Sequence, residues 1–264
     1  MEIRNNKAIV HVTEVGGCIR KGILRALGEP EQCKYYHSQL GTATHHVSEH
    51  MLSGLIAKAP LNSGYSMEYV YNTIYKDQPD MFWDKAKPEI EQKVRRLTQW
   101  IEWNKPGILD GLLSVEHQME LNLDGEIASM PVVLSGTADI ITNDLIIDIK
   151  SGKSRDKRHV QQLAGYHLLY SKPMLGGKIV YLGSDRFEVK IQKNGKAHVY
   201  HERDIPEEEL IGEVNKFIGE LAGYVNRLRA HYPEPPDPVK CGDCFFCPYR
   251  VGCYGEQSEG GRTE

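Results

Sequence analysis

The stretch Pro131-Val-Val-Leu-Ser-Gly-Thr-Ala-Asp-Ile-Ile-Thr-Asn-Asp-Leu-Ile-Ile-Asp-Ile-Lys150 decides the fold of this 264-residue chain. Two apolar runs, 131–141 and 145–150, read as strands joined by a turn at Asn143-Asp144. Adjacent antiparallel strands bring Asp139 and Asp148 to one rim of a sheet. Asp148 and Lys150 are two residues apart, so their side chains share a face. Two carboxylates and an amine on one surface cannot be a core. They fit a hard divalent-cation site, with the lysine holding a water nucleophile or balancing charge on a phosphate. An exposed strand face with a salt bridge also carries Asp-x-Lys, and three further features favour the site. Lys150 opens a basic run, Gln162 and Tyr166 share one face of a following helix, and Gly41-Thr-Ala-Thr-His45 offers a histidine on an upstream helix.

Working outward, helices are expected at 17–27 and 34–58, punctuated by Gly28-Glu29-Pro30. Ile90, Val94, Leu97 and Ile101 mark a helix over 85–103 that also carries Lys93, Arg95 and Arg96. A strand at 113–123 closes at the turn signal Asp124-Gly125. Helix returns at 156–171, then strands at 177–183, 186–192 and 197–201, then a long amphipathic helix at 206–231. Tyr232-Pro233-Glu234-Pro235-Pro236-Asp237-Pro238 reads as a stiff connector, and 257–264 as a disordered tail. The order predicts an α/β domain with a mixed sheet flanked by helices.

The chain has 32 Lys+Arg against 36 Asp+Glu, a net charge of −4 that points away from nucleic acid. Distribution reverses this reading. Between Lys150 and His159, Lys150, Lys153, Arg155, Lys157 and Arg158 face only Asp156, a local +4 that could track a phosphate backbone. No run of about 18 apolar residues exists to span a membrane. The first residues lack the apolar stretch of a signal peptide, so a cytoplasmic protein with reduced cysteines is expected. No Walker-type phosphate loop occurs, which excludes an ATP motor.

Four of the six cysteines, Cys241, Cys244, Cys247 and Cys253, crowd the end of the chain. Soft ligands at two-residue gaps turn around one metal centre. Zinc with four thiolates draws on two separated C-x-x-C pairs, whereas an iron–sulfur cluster often uses an uneven run plus a distant cysteine, and the second pattern fits better. Other candidates carry less. His46 and His50 read as surface or core histidines, and Trp83, Trp100 and Trp103 as packing residues that could otherwise stack bases. Spacing does not choose between Glu116 and Glu120 as a further acidic residue of the site.

Gly-x-x-x-His, Gly-x-x-Asp, Asp-x-Lys and Gln-x-x-x-Tyr, in this order, resemble the RecB-type branch of the PD-(D/E)xK nucleases. Cys18-Ile-Arg20-Lys21, with C-x-x-C and a further cysteine six residues on, is similar to its iron–sulfur subset, which includes the CRISPR-associated adaptation exonucleases of family four and AddB-type nucleases. The resemblance implies a restriction-endonuclease-like sheet and a small iron–sulfur module formed by the chain ends. It implies that His45, Asp139, Asp148 and the carbonyl of Ile149 bind Mn or Mg, that Lys150 is catalytic, and that Gln162 and Tyr166 stand beside the site. Cys18, Cys244, Cys247 and Cys253 would hold a 4Fe–4S cluster, with Cys241 the alternative to Cys18. The implied organisation is an N-terminal segment 1–35 supplying one cluster cysteine, a helical region 36–112, a nuclease core 113–231 and an iron–sulfur module 232–256. The implied activity is metal-dependent DNA exonuclease action on single strands or ends, in CRISPR spacer acquisition or DNA recombination and repair. Partners would be DNA and CRISPR integrase or recombination helicase subunits. A non-catalytic nucleic-acid scaffold and an iron–sulfur redox protein are the rival readings. Neither needs the trio Asp139, Asp148 and Lys150.

Overall fold

The computed structural model describes residues 1–31, 36–57, 60–76, 82–109, 111–152, 156–170, 176–183, 189–191, 197–199, 202–238, 247–249 and 253. The chain opens with strands β1 (Glu2–Arg4) and β2 (Lys7–His11), a 3-10 turn (Val12–Glu14) and helix α1 (Ile19–Ala26). Then come α2 (Tyr36–Ile56), α3 (Ser63–Val70), a π-helical turn (Tyr71–Tyr75) and α4 (Phe82–Leu109). Strands β3 (Leu112–Ile127), β4 (Met130–Thr142) and β5 (Leu145–Lys150) lead into α5 (Lys157–Leu169). Strands β6 (Gly176–Tyr181), β7 (Val189–Ile191), β8 (Ala197–Val199) and β9 (Glu202–Pro206) precede α6 (Glu207–His231).

Seven strands form one sheet in the order β1-β2-β4-β5-β6-β9, with β3 also on β4, while β7 and β8 pair separately. The sheet is mixed: β2–β4 and β5–β6 run parallel, and β3–β4, β4–β5 and β6–β9 antiparallel. β3 takes one edge of β4 along its length. β2 and β5 must therefore share the other edge, β2 at Val132–Ser135 and β5 at Ile140–Ile141. Gly136–Asp139 falls in the gap between them. That gap is where the sheet opens.

Helices cover both faces. On one, Val160, Leu163, Phe217, Leu221 and Tyr224 of α5 and α6 pack on Val10, Leu134, Ile146 and Ile179. On the other, Leu40, Val47 and Leu52 of α2 and Ile90, Val94, Leu97 and Ile101 of α4 pack on Ile140, Ile147, Val180 and Leu182. The predicted apolar stripe of α4 is fully buried, as its spacing requires. α1 is tied to the C-terminal connector, where the Arg20 guanidinium donates to the Pro236 carbonyl at 2.7 Å. Among the described residues no helix is long and apolar enough to cross a membrane.

Several local expectations change. Asp124-Gly125 is not the hairpin turn: β3 continues to Ile127, and Gly125, at φ 103°, marks a shift in register between Leu123 and Glu126. The turn is Ala128-Ser129, both left-handed at φ 49° and 63°, a two-residue pair whose twist matches that of the strands. The N-terminal segment also supplies two strands of the sheet, joined through Asn5 and Asn6, both left-handed. The connector's continuation through Cys241 and Cys244, the stretch 153–155 of the basic run and the tail 257–264 lie outside the described residues.

Candidate metal and catalytic site

At the gap in the sheet the alternation of β4 inverts. Val132, Leu134 and Ala138 face the α5 and α6 side, yet Ile140 faces α2 and α4 and Ile141 the first side again. Asp139 sits at the inversion, with its carboxylate accepting a hydrogen bond from the Ile149 backbone N–H. Across the β3–β4 ladder, pairing runs from Val115 to His117 and skips Glu116, whose φ of 48° is left-handed. Such backbone in a non-glycine residue costs about 1–3 kcal/mol and clusters at functional sites. Here it accompanies a Glu116 carboxylate 3.4 Å from the Nε2 of His45, whose Nδ1 lies 3.8 Å from Asp139. Among the described residues, His45, Glu116 and Asp139 bring ligand atoms within 4.8 Å of one another.

Beside this trio lies a partly buried polar row. The Lys150 ammonium donates to Asp148 Oδ1 at 3.0 Å and to Gln162 Oε1 at 2.6 Å, and the Gln162 amide donates to the Tyr166 hydroxyl. Asp148 is 1% exposed, and its Oδ2 lies 2.8 Å from the same Lys150 ammonium, so the lysine meets both carboxylate oxygens. Gln162 and Tyr166 point the same way because they are one helical turn apart on α5. The Asp156 side chain caps α5 by accepting from the Arg158 N–H. The same carboxylate pairs with the Arg158 guanidinium at 2.7 Å, so part of the basic run is internally neutralised.

The electrostatics report crowding. Burial pushes the Asp139 carboxyl up to about 7, reinforced by Asp148 and Glu116 and opposed by His45 and Lys150. The hydrogen bond that the His45 ring donates to the Glu116 carboxylate is the chief cause of its pKa rising to about 9, with Asp139 and Glu49 adding to it and burial opposing. Burial, with Asp148 and Asp139 adding to it, pushes the Tyr166 hydroxyl well up. Three carboxylates around one imidazolium form a site built for positive charge. Without a metal ion, protons carry that charge. The donor set of His45, Glu116 and Asp139, one imidazole and two carboxylates, fits a hard or borderline divalent cation.

The cavity over these groups is about 140 Å³ and is lined by Gly41, His45, Ser48, Glu116, Asp139 and Lys150, among others. Gly41 has a steric reason: a Cβ there would lie 3.3 Å from Ser151 Oγ. At Gly136 a Cβ would lie 2.9 Å from the Tyr166 ring. A larger cavity of about 660 Å³ lies between α3 and α4. It mixes Glu68, Asp84 and Glu91 with Lys87 and Arg95, whereas the ligand trio found among the described residues lines the smaller cavity.

The structure thus gathers His45, Asp139, Asp148, Ile149, Lys150, Gln162 and Tyr166 into one region. It also separates the two glutamates: Glu116 joins His45, whereas Glu120 pairs with Arg4. Only backbone conformation distinguishes them, and no spacing rule carries it. His46 bonds Tyr75 and His50 bonds Ser66, so neither joins the trio. Trp83 and Trp100 are buried, and Trp103 is exposed. At the chain ends, Cys18, Cys247 and Cys253 are free thiols, and Cys247 is buried. Burial raises the Cys247 thiol pKa, and Cys18 and Cys253 add to the rise.

A family model described as the PD-(D/E)XK nuclease superfamily matches residues 17–254. No curated protein sequence matches the chain. Among solved structures, a Eubacterium rectale protein named as a candidate exonuclease is 13% identical, with 91% of this chain and 88% of that one covered and a TM-score of 0.53. The protein SSO0001 is 15% identical over 94% and 87% of the two chains at a TM-score of 0.40. An alkaline exonuclease, LHK-Exo, from Laribacter hongkongensis is 13% identical over 86% and 93% at 0.30. At these identities the likeness is one of fold, and the first of the three carries it.

Proposed function

This chain belongs to the PD-(D/E)XK nuclease superfamily, and from that premise we propose that it is a divalent-metal-dependent DNA exonuclease acting on single strands or ends. The observation that carries the reading is the meeting of His45, Glu116 and Asp139 in one cavity with Lys150, which Asp148 and Gln162 hold. The exonuclease class follows the name of the Eubacterium rectale protein that shares the fold.

His45, Glu116 and Asp139, with Asp148 and the Ile149 carbonyl next to them, would hold Mn or Mg. Bound there, the ion supplies a water of lowered pKa and neutralises charge building on the scissile phosphate. Lys150 is held between Asp148 and Gln162, so its ammonium is pre-placed to orient the water nucleophile and to meet phosphate charge without reorganising. Gln162 is fixed by its bond to Tyr166, and Tyr166 stays a neutral hydroxyl. The row is therefore a rigid support for one lysine. The segment from Lys150 to Arg158 would hold the strand backbone.

The 4Fe–4S cluster belongs to the same proposal. Cys18, Cys247 and Cys253 are free thiols, and with Cys244 they would supply the four ligands. Held by both ends of the chain, the cluster would be a structural staple. Service in CRISPR spacer acquisition or in recombination and repair rests on the family resemblance alone. Incubating single-stranded DNA with Mn and either the wild type or Lys150→Ala tests the enzyme reading. Degradation is expected only with the wild type, and equal activity in both would sink it.

A further inference from the structure

Five residues of α2, Gly41, Thr44, His45, Ser48 and Leu52, line the cavity that holds the ligand trio. At 3.6 residues per turn they fall within an arc of about 100°, and Ser48 stands near its middle. Its side chain therefore leaves the helix on the cavity side. His45 is exposed at the mouth, whereas Leu52 and Leu182 of the same lining are fully buried. Ser48 is one helical turn from His45 and one from Leu52, and it is 3% exposed. It stands toward the closed end.

The Ser48 hydroxyl is buried and meets no hydrogen-bond partner among the described residues. A helical serine or threonine commonly satisfies itself on the carbonyl four residues back. Thr44 does so on Leu40 at 2.8 Å, Thr98 on Val94 at 3.0 Å and Thr42 on Ser38 at 3.1 Å. The buried Ser66 pairs instead with the His50 ring. Ser48 uses neither solution. A buried hydroxyl left unpaired costs stability, which points to a partner from outside the chain.

The size of the cavity limits that partner. About 140 Å³ is well under the roughly 300 Å³ at which small-molecule pockets begin, so a nucleotide does not fit the closed end. A divalent ion with its waters does. His45, Glu116 and Asp139 offer three ligand atoms, and an octahedral ion leaves its other positions to water and substrate. Resting on the metal centre proposed above, we infer that Ser48 is a positioning residue whose hydroxyl accepts a hydrogen bond from a water ligand of that ion at the closed end of the cavity. Leu52 and Leu182 offer that water no competing side-chain partner. Groups that hold a metal's ligands in this way fix their orientation, so the positions left for substrate face the mouth, where a phosphate arrives.

The test is Mn titration of the purified protein, read from the EPR signal of free Mn, together with thermal melting before Mn is added. Ser48→Ala is expected to weaken Mn binding about tenfold, the lower end for losing a group that orients a metal ligand. Its melting temperature should equal or exceed that of the wild type, because an unpaired buried hydroxyl has been removed. Thr98→Val is the control: it breaks a paired helix hydroxyl away from the cavity, so it should melt about 2 °C lower and bind Mn within about twofold of the wild type. Mn affinity in Ser48→Ala within twofold of the wild type would overturn the inference. So would a loss of affinity accompanied by a lower melting temperature, which marks a structural serine. Failure of the underlying reading looks different. A wild type that binds no Mn removes the metal centre itself, and a Mn site that depends on Ser48 in a protein that cuts no DNA keeps the inference and loses the nuclease.

Discussion

Changing Glu116 to Gln keeps the side chain's shape and removes its charge. In the wild type the Glu116 hydrogen bond is the largest contributor to a His45 pKa of about 9, against an ordinary 6.5. At 1.36 kcal/mol per unit, the whole rise corresponds to roughly 3 kcal/mol in favour of the protonated ring. The His45 side chain is 44% exposed, so solvent screening cuts the stabilising part to about 1–1.5 kcal/mol. Because the folded pKa is raised, this stabilisation is complete below about pH 6.5 and is lost as pH rises through about 9. In metal-free Glu116→Gln, an NMR titration of the His45 ring should show a pKa lower by about one unit or more, with Asp139 still holding part of the rise. Thermal melts should show the variant losing most stability near neutral pH and little above pH 9. A His45 titration that stays where it was would refute the pairing and, with it, the assignment of Glu116 to the site.

Other outcomes follow from the same geometry. Metal binding must expel protons from His45 and Asp139, so Mn affinity should rise from pH 6 to pH 9; calorimetry in buffers of different ionisation enthalpy should count released protons, and identical heats would contradict it. Gly136→Ala would push a methyl against Tyr166, Leu169 and Val12, costing about 1–3 kcal/mol by overpacking and displacing the support of Gln162; a melting temperature and activity like those of the wild type would count against this. For the cluster, Cys18→Ser should bleach the brown colour expected of an iron–sulfur protein while Cys241→Ser should not, as visible spectra of freshly purified protein would show. The opposite pair of results would make Cys241 the ligand and Cys18 a bystander.

The central strands were legible because burial writes a pattern. Leu145–Lys150 has no other reading than a strand ending on a charged rim, and the stripe Ile90, Val94, Leu97 and Ile101 fits only a helix. Short elements left no such record. Strand β2 is an apolar triplet, Ala8-Ile9-Val10, too brief for periodicity, and α3 is eight residues whose exposed tyrosines blur its two faces. Asp124-Gly125 carries the chemistry of a turn but serves a register shift, because the glycine's left-handed freedom suits both. At the site, residue order put forward Asp139, Asp148 and Lys150 as candidates, and the fold brings them to one region. Glu116 was indistinguishable from Glu120 because its choice rests on a left-handed backbone angle, which nothing in a glutamate's identity announces.

Mn-dependent degradation of 5′- and 3′-labelled single-stranded DNA by the wild type and by Lys150→Ala, followed over time, bears most directly on the account. Lys150 meets Asp148 and Gln162 while Asp139 anchors the ligand trio, so its loss should leave the three Mn ligands in place, at a cost in stability from the unpaired buried Asp148. The wild type should shorten the strand progressively from an end, and the variant should bind Mn yet release no nucleotide. Degradation by Lys150→Ala at the wild-type rate, or a wild type that binds Mn and cuts nothing, would contradict it.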